Sequence, residues 1–427
     1  MPSITQSGND TPENGQLPGR YEWAREPTPG EVPTDPDYQL FSDVVRSFEM
    51  DPGASVARQD ALGTPDAVDH FRGMEEPSAT VGYDLQRFPV DTDGNPVDAS
   101  AYGILRDAHN QPPGTLLIVG RRELPGGNDN AGVREYSVIR GGGVDPSAEL
   151  DPSGEQPILM ELSLTARKAR SYLIHQPSAA TTLELVSSED TDSMDVTIES
   201  EDAEKTETVT LNGTTAVTTT AEFADIDAVW LSDNPDGDIH ITDGNGTTLV
   251  ESASPAASDT DGIAGGLTYS DDDQPVDGDR GVPALGSGSH ADPIGTSFEH
   301  FEGDRFERPT GSSVRPRVNS GSWSVENNWG TTSLQATRAP AVDSGNRSVS
   351  VDADVGGPYV SHKSMMESLQ RVQQTLEHEL SGGIIRFKNT VPTSSATRTI
   401  ENDQGAASIS ETFEPSGDPM IELEATA

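Results

Sequence analysis

Apolar and polar residues alternate along much of this chain, which is the pattern of strands buried on one face. The clearest example is residues 318–326, where Trp323 and Val325 alternate with serine and glutamate. Residues 327–328 are both Asn, a residue that tolerates positive φ and therefore favours a turn. A second alternating segment covers residues 347–355, where valines are set against serines and aspartates. The pattern predicts two antiparallel strands joined by a long polar connection.

The first part of the chain is predicted to be rich in strands and loops. Prolines throughout residues 1–37 favour an extended arm, and Tyr21 and Trp23 suggest that this arm docks on a neighbouring subunit. A short helix is expected at residues 38–48. Strands are predicted at residues 79–88, 158–164 and 172–175, and a hairpin is predicted to join residues 114–121 to residues 135–140.

Residues 181–250 contain a separate series of short strands with turn signals between them. The strands are predicted at residues 182–185, 194–198, 207–211, 228–231 and 238–242. This regular spacing is typical of a β-sandwich. The segment resembles the immunoglobulin-like domains that decorate viral surfaces, although the Cys…Trp…Cys marker of true immunoglobulin domains is absent.

Only one segment shows a convincing helical repeat. Apolar residues recur on one helical face at Met365, Leu369, Val372, Leu376 and Leu380. The repeat predicts a helix over residues 361–380, and the glycines that follow would end it. Strands are expected at residues 384–388 and 420–427.

The charge balance of the chain is strongly acidic. It has 27 Lys and Arg against 72 Asp and Glu, which gives a formal net charge of −45. At molar salt the Debye length falls to about 3 Å, so repulsion between surface carboxylates is largely screened there. We therefore expect a halophilic source. The scarcity of cations argues against tight binding of nucleic acid, because phosphate neutralisation requires Lys and Arg.

No feature of the sequence predicts a disulfide, a secretory signal or a membrane partner. The chain has no Cys. The longest apolar run, residues 116–119, is far shorter than the ~20 residues that a membrane-spanning helix requires. The N-terminal residues do not combine a basic region with a following apolar region.

No constellation of residues predicts catalysis, so we expect no enzyme activity, no cofactor and no bound metal. Residues 286–290 lack the glycine pattern of a nucleotide-binding loop or a nucleophile elbow. His378 begins a zinc-protease motif, but Gly382 occupies the position of the second ligand. Aspartates in residues 91–95 and 271–273 could bind Ca²⁺, although solvated turns are the simpler interpretation. Asn-x-Ser/Thr sequences, which are weak signals in a halophilic protein, occur at Asn212, Asn245 and Asn346.

The order of a strand, an Asn pair, a variable loop, Gly-x-Arg and a second strand resembles the tail tube proteins of long-tailed, siphovirus-like double-stranded DNA viruses. In that family the two strands belong to a β-sandwich whose hexameric rings stack into the tail. The resemblance implies a mainly β chain with a tail-tube-type β-sandwich or barrel, one packed α-helix and an inserted immunoglobulin-like β-sandwich. Scarce cations and turn residues near these strands are candidate subunit contacts: Trp323, Asn327, Asn328, Trp329, Arg338 and Arg347.

The resulting domain prediction divides the chain into five parts. They are an extended N-terminal arm (1–77), the first part of a tail tube domain (78–179), an inserted immunoglobulin-like decoration domain (180–255), an acidic linker (256–282) and the second part of the tail tube domain (283–427). The insert is expected on the outside of the tube, where a short linker could replace it.

The resemblance implies a virion protein of a tailed virus of halophilic archaea, assembled in the host cytoplasm. Its partners would be further copies of itself in stacked hexameric rings, the terminator, baseplate and tape measure proteins, and double-stranded DNA as weakly contacted cargo during ejection. A terminator or baseplate ring protein is possible within the same class. The alternative is a cell-surface or adhesin-type binding protein of a halophilic archaeon, with the immunoglobulin-like domain as its recognition module.

Overall fold

The structure is a computed structural model, and it confirms a mainly β chain built from several sheets. It describes residues 19–30, 38–51, 53–60, 67–88, 103–105, 114–124, 133–150, 156–200, 205–226, 228–232, 236–237, 239–252, 266–267, 281–282, 294–307, 313–314, 317–332, 341–356, 374–393, 397–400, 407–417 and 420–425. Within these residues the only helical segment is a single turn at residues 103–105.

The strands fall into three consecutive groups along the chain. The first group is β1 (Gly19–Arg25), β2 (Gln39–Leu40), β3 (Val45–Asp51), β4 (Ala54–Asp60), β5 (Ala67–Glu75), β6 (Ser78–Asp84), β7 (Thr115–Leu124), β8 (Val133–Leu150), β9 (Leu159–Thr165) and β10 (Lys168–His175). The second group is β11 (Leu183–Ser187), β12 (Asp195–Glu199), β13 (Thr206–Thr210), β14 (Val217–Thr218), β15 (Ala228–Leu231), β16 (Ile239–Asp243), β17 (Thr248–Ser252), β18 (Gly266–Leu267) and β19 (Gly281–Val282). The third group is β20 (Phe301–Glu307), β21 (Ser313–Val314), β22 (Arg317–Glu326), β23 (Gly330–Thr332), β24 (Ala341–Asp343), β25 (Ser348–Gly356), β26 (Gln374–Leu380), β27 (Gly383–Pro392), β28 (Thr397–Ile400), β29 (Ala407–Glu414) and β30 (Ile421–Ala425).

Two sheets enclose the main hydrophobic core. The front sheet has the strand order β3-β6-β9-β8-β22-β25-β29, and the back sheet has the order β21-β20-β26-β27-β30. Trp323 from the front sheet and Phe387 from the back sheet meet with ring centroids 6.2 Å apart. Both rings are buried, because inward side chains of the two sheets interdigitate there. The predicted antiparallel pairing of residues 318–326 with 347–355 is confirmed as β22 and β25.

A long, bent ribbon joins the front sheet to a third sheet. The second half of β8 pairs with β9, and its first half pairs with β10, so the two chain segments run antiparallel over most of their length. The third sheet has the order β10-β8-β7-β1-β2, and we call it the docking sheet. The predicted hairpin of residues 114–121 and 135–140 is therefore confirmed as β7 and β8, while its expected tip at residues 125–132 lies outside the described residues.

The ribbon bends at residues 141–143, where Gly141 has a φ of 64°. Side chains facing the main core are even-numbered in the second half of β8, such as Val144, but odd-numbered in its first half, such as Ile139. One extra residue in β8 at the bend accounts for this switch between even-numbered and odd-numbered core-facing positions. Glu26 accepts hydrogen bonds there from the amides of Gly141 and Gly30, at 2.8 and 2.9 Å. Burial raises the pKa of Glu26, an effect that these hydrogen bonds oppose.

The described residues between 181 and 282 form a sandwich of two further sheets, which we call the module. Its sheets have the orders β14-β11-β16-β17-β18 and β13-β12-β15-β19, and each predicted strand of residues 181–250 is confirmed within a few residues. Two short strands come from the segment that the sequence assigns to an acidic linker. Residues 266–267 pair with β17, and residues 281–282 pair with β15, so the chain leaves the module only after residue 282.

The module packs directly on the docking sheet. Leu117 and Val119 belong to the same buried cluster as the interior of the module, whereas Leu116 and Ile118 face the main core. This strand is therefore buried on both faces, which explains the continuous apolar run at residues 116–119. Gln176 adds polar contacts, since its side chain accepts a hydrogen bond from the Ile226 amide at 2.8 Å.

Both predicted helices are wrong where the structure describes them. Residues 45–48 belong to strand β3, which pairs with β6. Residues 374–380 form β26, which pairs with β20 and β27. Leu376 and Leu380 are four positions apart, a spacing that fits one face of a helix and one face of a strand equally well. Hydrogen bonding of β26 to a strand on each side favours the strand conformation over the helix. The rest of the predicted helix, residues 361–373, lies outside the described residues.

The predicted extended arm pairs with its own chain wherever it is described. β1 pairs with β7, and Trp23 is buried in the main core with a 1% exposed surface. These contacts differ from the expected docking of Tyr21 and Trp23 on a neighbouring subunit. The predicted strands at residues 158–164, 172–175, 384–388 and 420–427 are confirmed as β9, β10, β27 and β30.

Candidate functional site

The outer surface of the front sheet carries short polar side chains from β6 to β29. Outward positions alternate with buried ones along these strands. Apart from Gly82, Gly143 and Leu159, the outward side chains on the described positions are hydroxyls and carboxylates: Ser78, Thr80, Asp84, Asp145, Ser147, Glu149, Glu161, Ser163, Thr165, Ser322, Ser324, Glu326, Ser348, Ser350, Asp352, Thr412 and Glu414. None of these positions holds Lys or Arg. We call this surface the hydroxyl–carboxylate face.

Strand register arranges this face in rows. One row crosses five strands through Leu159, Glu149, Ser322, Asp352 and Thr412. Within it, the Thr412 hydroxyl donates to Asp352 Oδ1 at 2.5 Å. Because most of the side chains are short, the rows form a smooth polar surface with few projecting groups.

Asp145 shows how the carboxylates of this face influence one another. Burial raises its pKa, and the nearby charge of Glu326 raises it further. The amide of Asn327 donates to Asp145 Oδ1 at 2.7 Å and opposes this rise. Mutual repulsion of carboxylates is therefore built into the face, and no cation on the described positions relieves it.

At the β3 edge of the face, a cation contacts one of its carboxylates. Arg46 lies in the bulge of β3, and its guanidinium contacts the Asp84 carboxylate at 2.5 and 2.9 Å. This ion pair balances the positive charge of the Arg46 guanidinium. Phosphate groups on a nucleic acid would thus meet hydroxyls and negative charge across the face, a surface that does not hold them.

Four of the predicted subunit-contact residues surround the turn after β22. Asn327 is buried, and its side-chain amide donates to the Val144 carbonyl at 3.0 Å. Asn328 has a φ of 49°, as expected for a turn Asn, and its side-chain amide donates to the Asn346 carbonyl. Trp329 is half-buried and donates from Nε1 to the Val144 carbonyl at 3.2 Å. Arg347 is half-buried in the segment that returns to β25.

This turn packs on the bend of the ribbon. The Trp329 ring lies so close to Gly143 that a Cβ at this glycine would approach it to 2.2 Å. Trp323, by contrast, is 3% exposed and belongs to the main core. Only Asn328, Trp329 and Arg347 therefore present surface to a neighbour. Arg338 lies outside the described residues, and the subunit-contact role of the whole set stays a prediction.

The outer surface of the back sheet has the opposite character. Glu377 lies between Arg305 and Arg386, with nitrogen–oxygen distances of 3.5 and 2.7 Å. Arg386 also pairs with Glu424, and Lys388 pairs with Glu422 at 2.6 Å. Positive and negative side chains thus alternate across four strands. Arg305, Arg386 and Lys388 are therefore placed on this side of the sandwich and away from the hydroxyl–carboxylate face.

A long hairpin extends from the edge of the front sheet. β3 and β6 form its root, and β4 and β5 continue it as a sheet of two strands that pair only with each other in the described structure. The amide of Glu76 donates to the Gly53 carbonyl at 3.1 Å, so the β3–β6 pairing continues directly into the β4–β5 pairing. A two-stranded hairpin is marginally stable in water and has two open edges. These edges are suited to pairing with another chain.

The groups that most resemble catalytic residues do not form a catalytic arrangement. His378 contacts Asp304 through Nδ1, but both side chains are fully buried in the main core between Phe301 and Phe387. The Ser381 hydroxyl donates to Glu299 at 2.7 Å and does not contact an imidazole. Within the described part of the chain, no group of three or more His, Asp or Glu side chains could hold a metal ion. Residues 91–95, 271–273 and 286–290 lie outside the described residues.

Glu299 provides a test of buried charge in this fold. Burial raises its pKa, against the hydrogen bonds from Ser381 and Gly382 and the charges of Arg87 and His300. A raised carboxyl pKa contributes stability below the unfolded pKa of about 4.3, and this stability is lost as the pH rises through the folded pKa. Glu299→Gln can keep both hydrogen bonds on its amide oxygen. We expect equal stability of the two proteins near pH 4 and a more stable variant at pH 7, measured by urea unfolding.

Glu299→Ala is the matched control for that measurement. It removes the acceptor of both hydrogen bonds and should cost about 1–3 kcal/mol at either pH. If Glu299→Gln destabilises the protein at pH 7 as much as Glu299→Ala does, then the ionised carboxylate stabilises the fold and the interpretation fails.

Several of these features were not found by sequence reasoning. The hydroxyl–carboxylate face requires the register of six strands, since no local pattern shows which serines share a surface. Glu26 contacts Gly141, which is 115 residues away in the chain, so no local pattern indicates that Glu26 holds the bend. The alternation in β27, with Arg386 and Lys388 between apolar residues, was the one signal that could have indicated the charged outer surface of the back sheet.

Comparison with known proteins adds no family assignment. No protein-family model matches the chain, and no curated protein is significantly similar to it. Among the described residues, no helix has the length and apolar character needed to cross a bilayer.

Proposed function

We propose that this chain is a structural subunit that polymerises as stacked hexameric rings and forms the tail tube of a virus of halophilic archaea. In this proposal double-stranded DNA passes through the tube during ejection. The hydroxyl–carboxylate face lines the bore. The front and back sheets form its wall, and the subunit carries out no reaction.

The observation that carries the proposal is the absence of Lys and Arg from the described positions of that face. A conduit for DNA must avoid holding phosphates, because each bound phosphate adds counterion-release affinity and slows passage. Short hydroxyl side chains keep the surface hydrated, and carboxylates repel the DNA. The cations of the back sheet are then placed where they contact protein instead of DNA.

Self-association is supported by the β4–β5 hairpin. Its backbone edges have no strand partner in the described structure, and exposed edges of this kind pair readily with another chain. A neighbouring subunit would cover them and supply the stability that an isolated hairpin lacks.

The proposal also places a requirement on the module. The module and the hydroxyl–carboxylate face lie on the same side of the β8–β9–β10 ribbon, separated by the bend at residues 141–143. In a tube, this bend must direct the module away from the bore, since a sandwich of this size would block the passage. Glu26 and Gly141 hold the bend and thereby keep the bore open.

Electron microscopy of the purified protein in molar KCl tests the proposal. We expect rings or tubes with an open centre, and we expect monomers when residues 54–75 are replaced by Asn-Gly. This replacement leaves the hairpin root closed, because Gly53 and Glu76 are already hydrogen-bonded at 3.1 Å. Circular dichroism should show that the shortened chain remains folded.

Two results would contradict the tail tube function. The first is a wild-type protein that stays monomeric at every salt and protein concentration, as an adhesin-type binding protein would. The second is submicromolar affinity for double-stranded DNA at moderate salt in a gel-shift assay. Either result removes the reason for placing the hydroxyl–carboxylate face in a bore.

A further inference from the structure

Two Asn-x-Thr sequences of the module lie in exposed tight turns. Asn212-Gly-Thr214 follows β13, and Asn245-Gly-Thr247 joins β16 to β17. The Asn and the Thr of each sequence are exposed. Surface turns are where N-linked glycans are found in folded proteins. The structure thus brings together the acceptor sequence and the accessibility that modification needs.

The turn at Asn212 is anchored through its backbone. The Gly213 amide donates to the Asp192 carbonyl at 2.7 Å, and the Gly213 carbonyl accepts from the Ser187 amide at 3.1 Å. Gly213 has a φ of 55°, and a Cβ there would meet the Asp190 backbone at 2.6 Å. The backbone of the buried Gly213 therefore anchors the turn to the module, while the Asn212 side chain is exposed to solvent.

The turn at Asn245 is anchored by Asp243. The Asp243 carboxylate accepts hydrogen bonds from the amides of Asn245 and Thr247, at 2.9 and 2.8 Å. Gly246 has a φ of 81° and open space around its Cβ direction. This turn lies beside Thr181, at the start of β11, whereas the Asn212 turn lies beside Ser187, at its end. The two sequences therefore occupy opposite ends of the module.

A third sequence, Asn346-Arg-Ser348, also has an exposed Asn and an exposed Ser, but it lies outside the module and has different hydrogen-bond partners. The Asn346 carbonyl accepts the side-chain amide of Asn328, and the Ser348 hydroxyl contacts Glu326 at 3.4 Å. Ser348 belongs to the hydroxyl–carboxylate face. The acceptor hydroxyl of this sequence is thus engaged with a carboxylate, and its Asn backbone is held by a neighbouring side chain, so it serves as the internal comparison.

We propose that Asn212 and Asn245 are N-glycosylation sites and that Asn346 is not. The donor is an oligosaccharide linked to a lipid phosphate. The side-chain amide nitrogen forms the bond to the anomeric carbon, the glycosyl–phosphate bond breaks, and the amide proton passes to the released lipid phosphate. The two glycans would then be attached at opposite ends of the module. The proposal does not depend on the tail tube function.

Mass spectrometry of the protein from its natural source tests the proposal. We expect an intact mass above 45.2 kDa, with hexose-containing peptides at Asn212 and Asn245 and an unmodified peptide at Asn346. Fully unmodified peptides at Asn212 and Asn245 would overturn the proposal. Modification of Asn346 to the same extent would overturn the structural argument for site choice.

Substitutions of Thr214 separate glycosylation from folding in a host that glycosylates such sequences. Thr214→Ser retains the acceptor sequence and should keep the glycan at Asn212, whereas Thr214→Ala should lose it while Asn245 stays modified. Both substitutions affect one exposed side chain, so both proteins should unfold at the same temperature. Loss of the mass increment in both variants, or in neither, would contradict the assignment.

Discussion

Deletion of the module, residues 180–282, is expected to produce an aggregated protein. The module covers one face of the docking sheet, where side chains such as Leu117, Val119 and Ile174 are fully buried. Burial of each large apolar side chain contributes about 1.5–3 kcal/mol. Five such side chains, with Tyr136 and Val138 included, contribute on the order of 10 kcal/mol, which is comparable to the total stability of a typical domain. Size-exclusion chromatography in molar KCl should show loss of the soluble species.

A second deletion protein tests the cause of this aggregation. Leu117→Thr, Val119→Thr and Val138→Thr keep β-branched or strand-compatible side chains and make the uncovered face more polar. We expect this protein to recover solubility when it carries the deletion. If the simple deletion is soluble and monodisperse, then the module is a detachable decoration, as the sequence-based domain boundaries suggest, and the docking-sheet interpretation fails.

Dilution from about 3 M to about 0.1 M KCl is expected to destabilise the fold by several kcal/mol, on the order of 10 °C in the midpoint of thermal unfolding. The cause is the net charge of −45, combined with a face on which Arg46 neutralises Asp84 only at the β3 edge and the described positions hold no Lys or Arg. At the lower concentration the Debye length is about 10 Å, which spans neighbouring strands of the front sheet. Circular dichroism melting curves across the salt series measure the effect.

Sucrose is the control for that series. It is excluded from protein surfaces and stabilises folded chains without screening charge. We expect sucrose in dilute buffer to recover only part of the stability that KCl provides. A midpoint that is unchanged over the KCl series would show that carboxylate repulsion does not limit this fold.

Strands were predictable from the sequence where their alternation was strict. β22, β25 and five of the module strands (β11, β12, β13, β15 and β16) combine short alternating segments with Asn, Gly or Asp turns, and local pattern alone identifies them. β26 was not predictable in this way, because Leu376 and Leu380 satisfy two periods at once. Only pairing with β20 and β27, which are distant in the chain, determines its conformation.

The sequence predicted the chemical character of the candidate site but not its location. The shortage of Lys and Arg indicates a chain that avoids phosphate, but composition does not show where the carboxylates gather. Trp323 illustrates the same limit, since a strand Trp can occupy either face, and the register places this one in the core beside Phe387. The module boundary at residue 282 depends on the pairing of β19 with β15, and no local sequence pattern predicts this pairing.

The ribbon that passes through two sheets also determines how the subunit responds to mechanical load. A pull on the module reaches the front sheet along β8, whose backbone hydrogen bonds to β9 and β10 run across the direction of pulling. Under such a shear load many bonds must break together, whereas a hairpin that is peeled from one end loses them one at a time. The bend at Gly141 is the one interruption in this path. Tension is therefore concentrated at the amide that Glu26 holds, and we expect yielding to begin there, before either sheet separates.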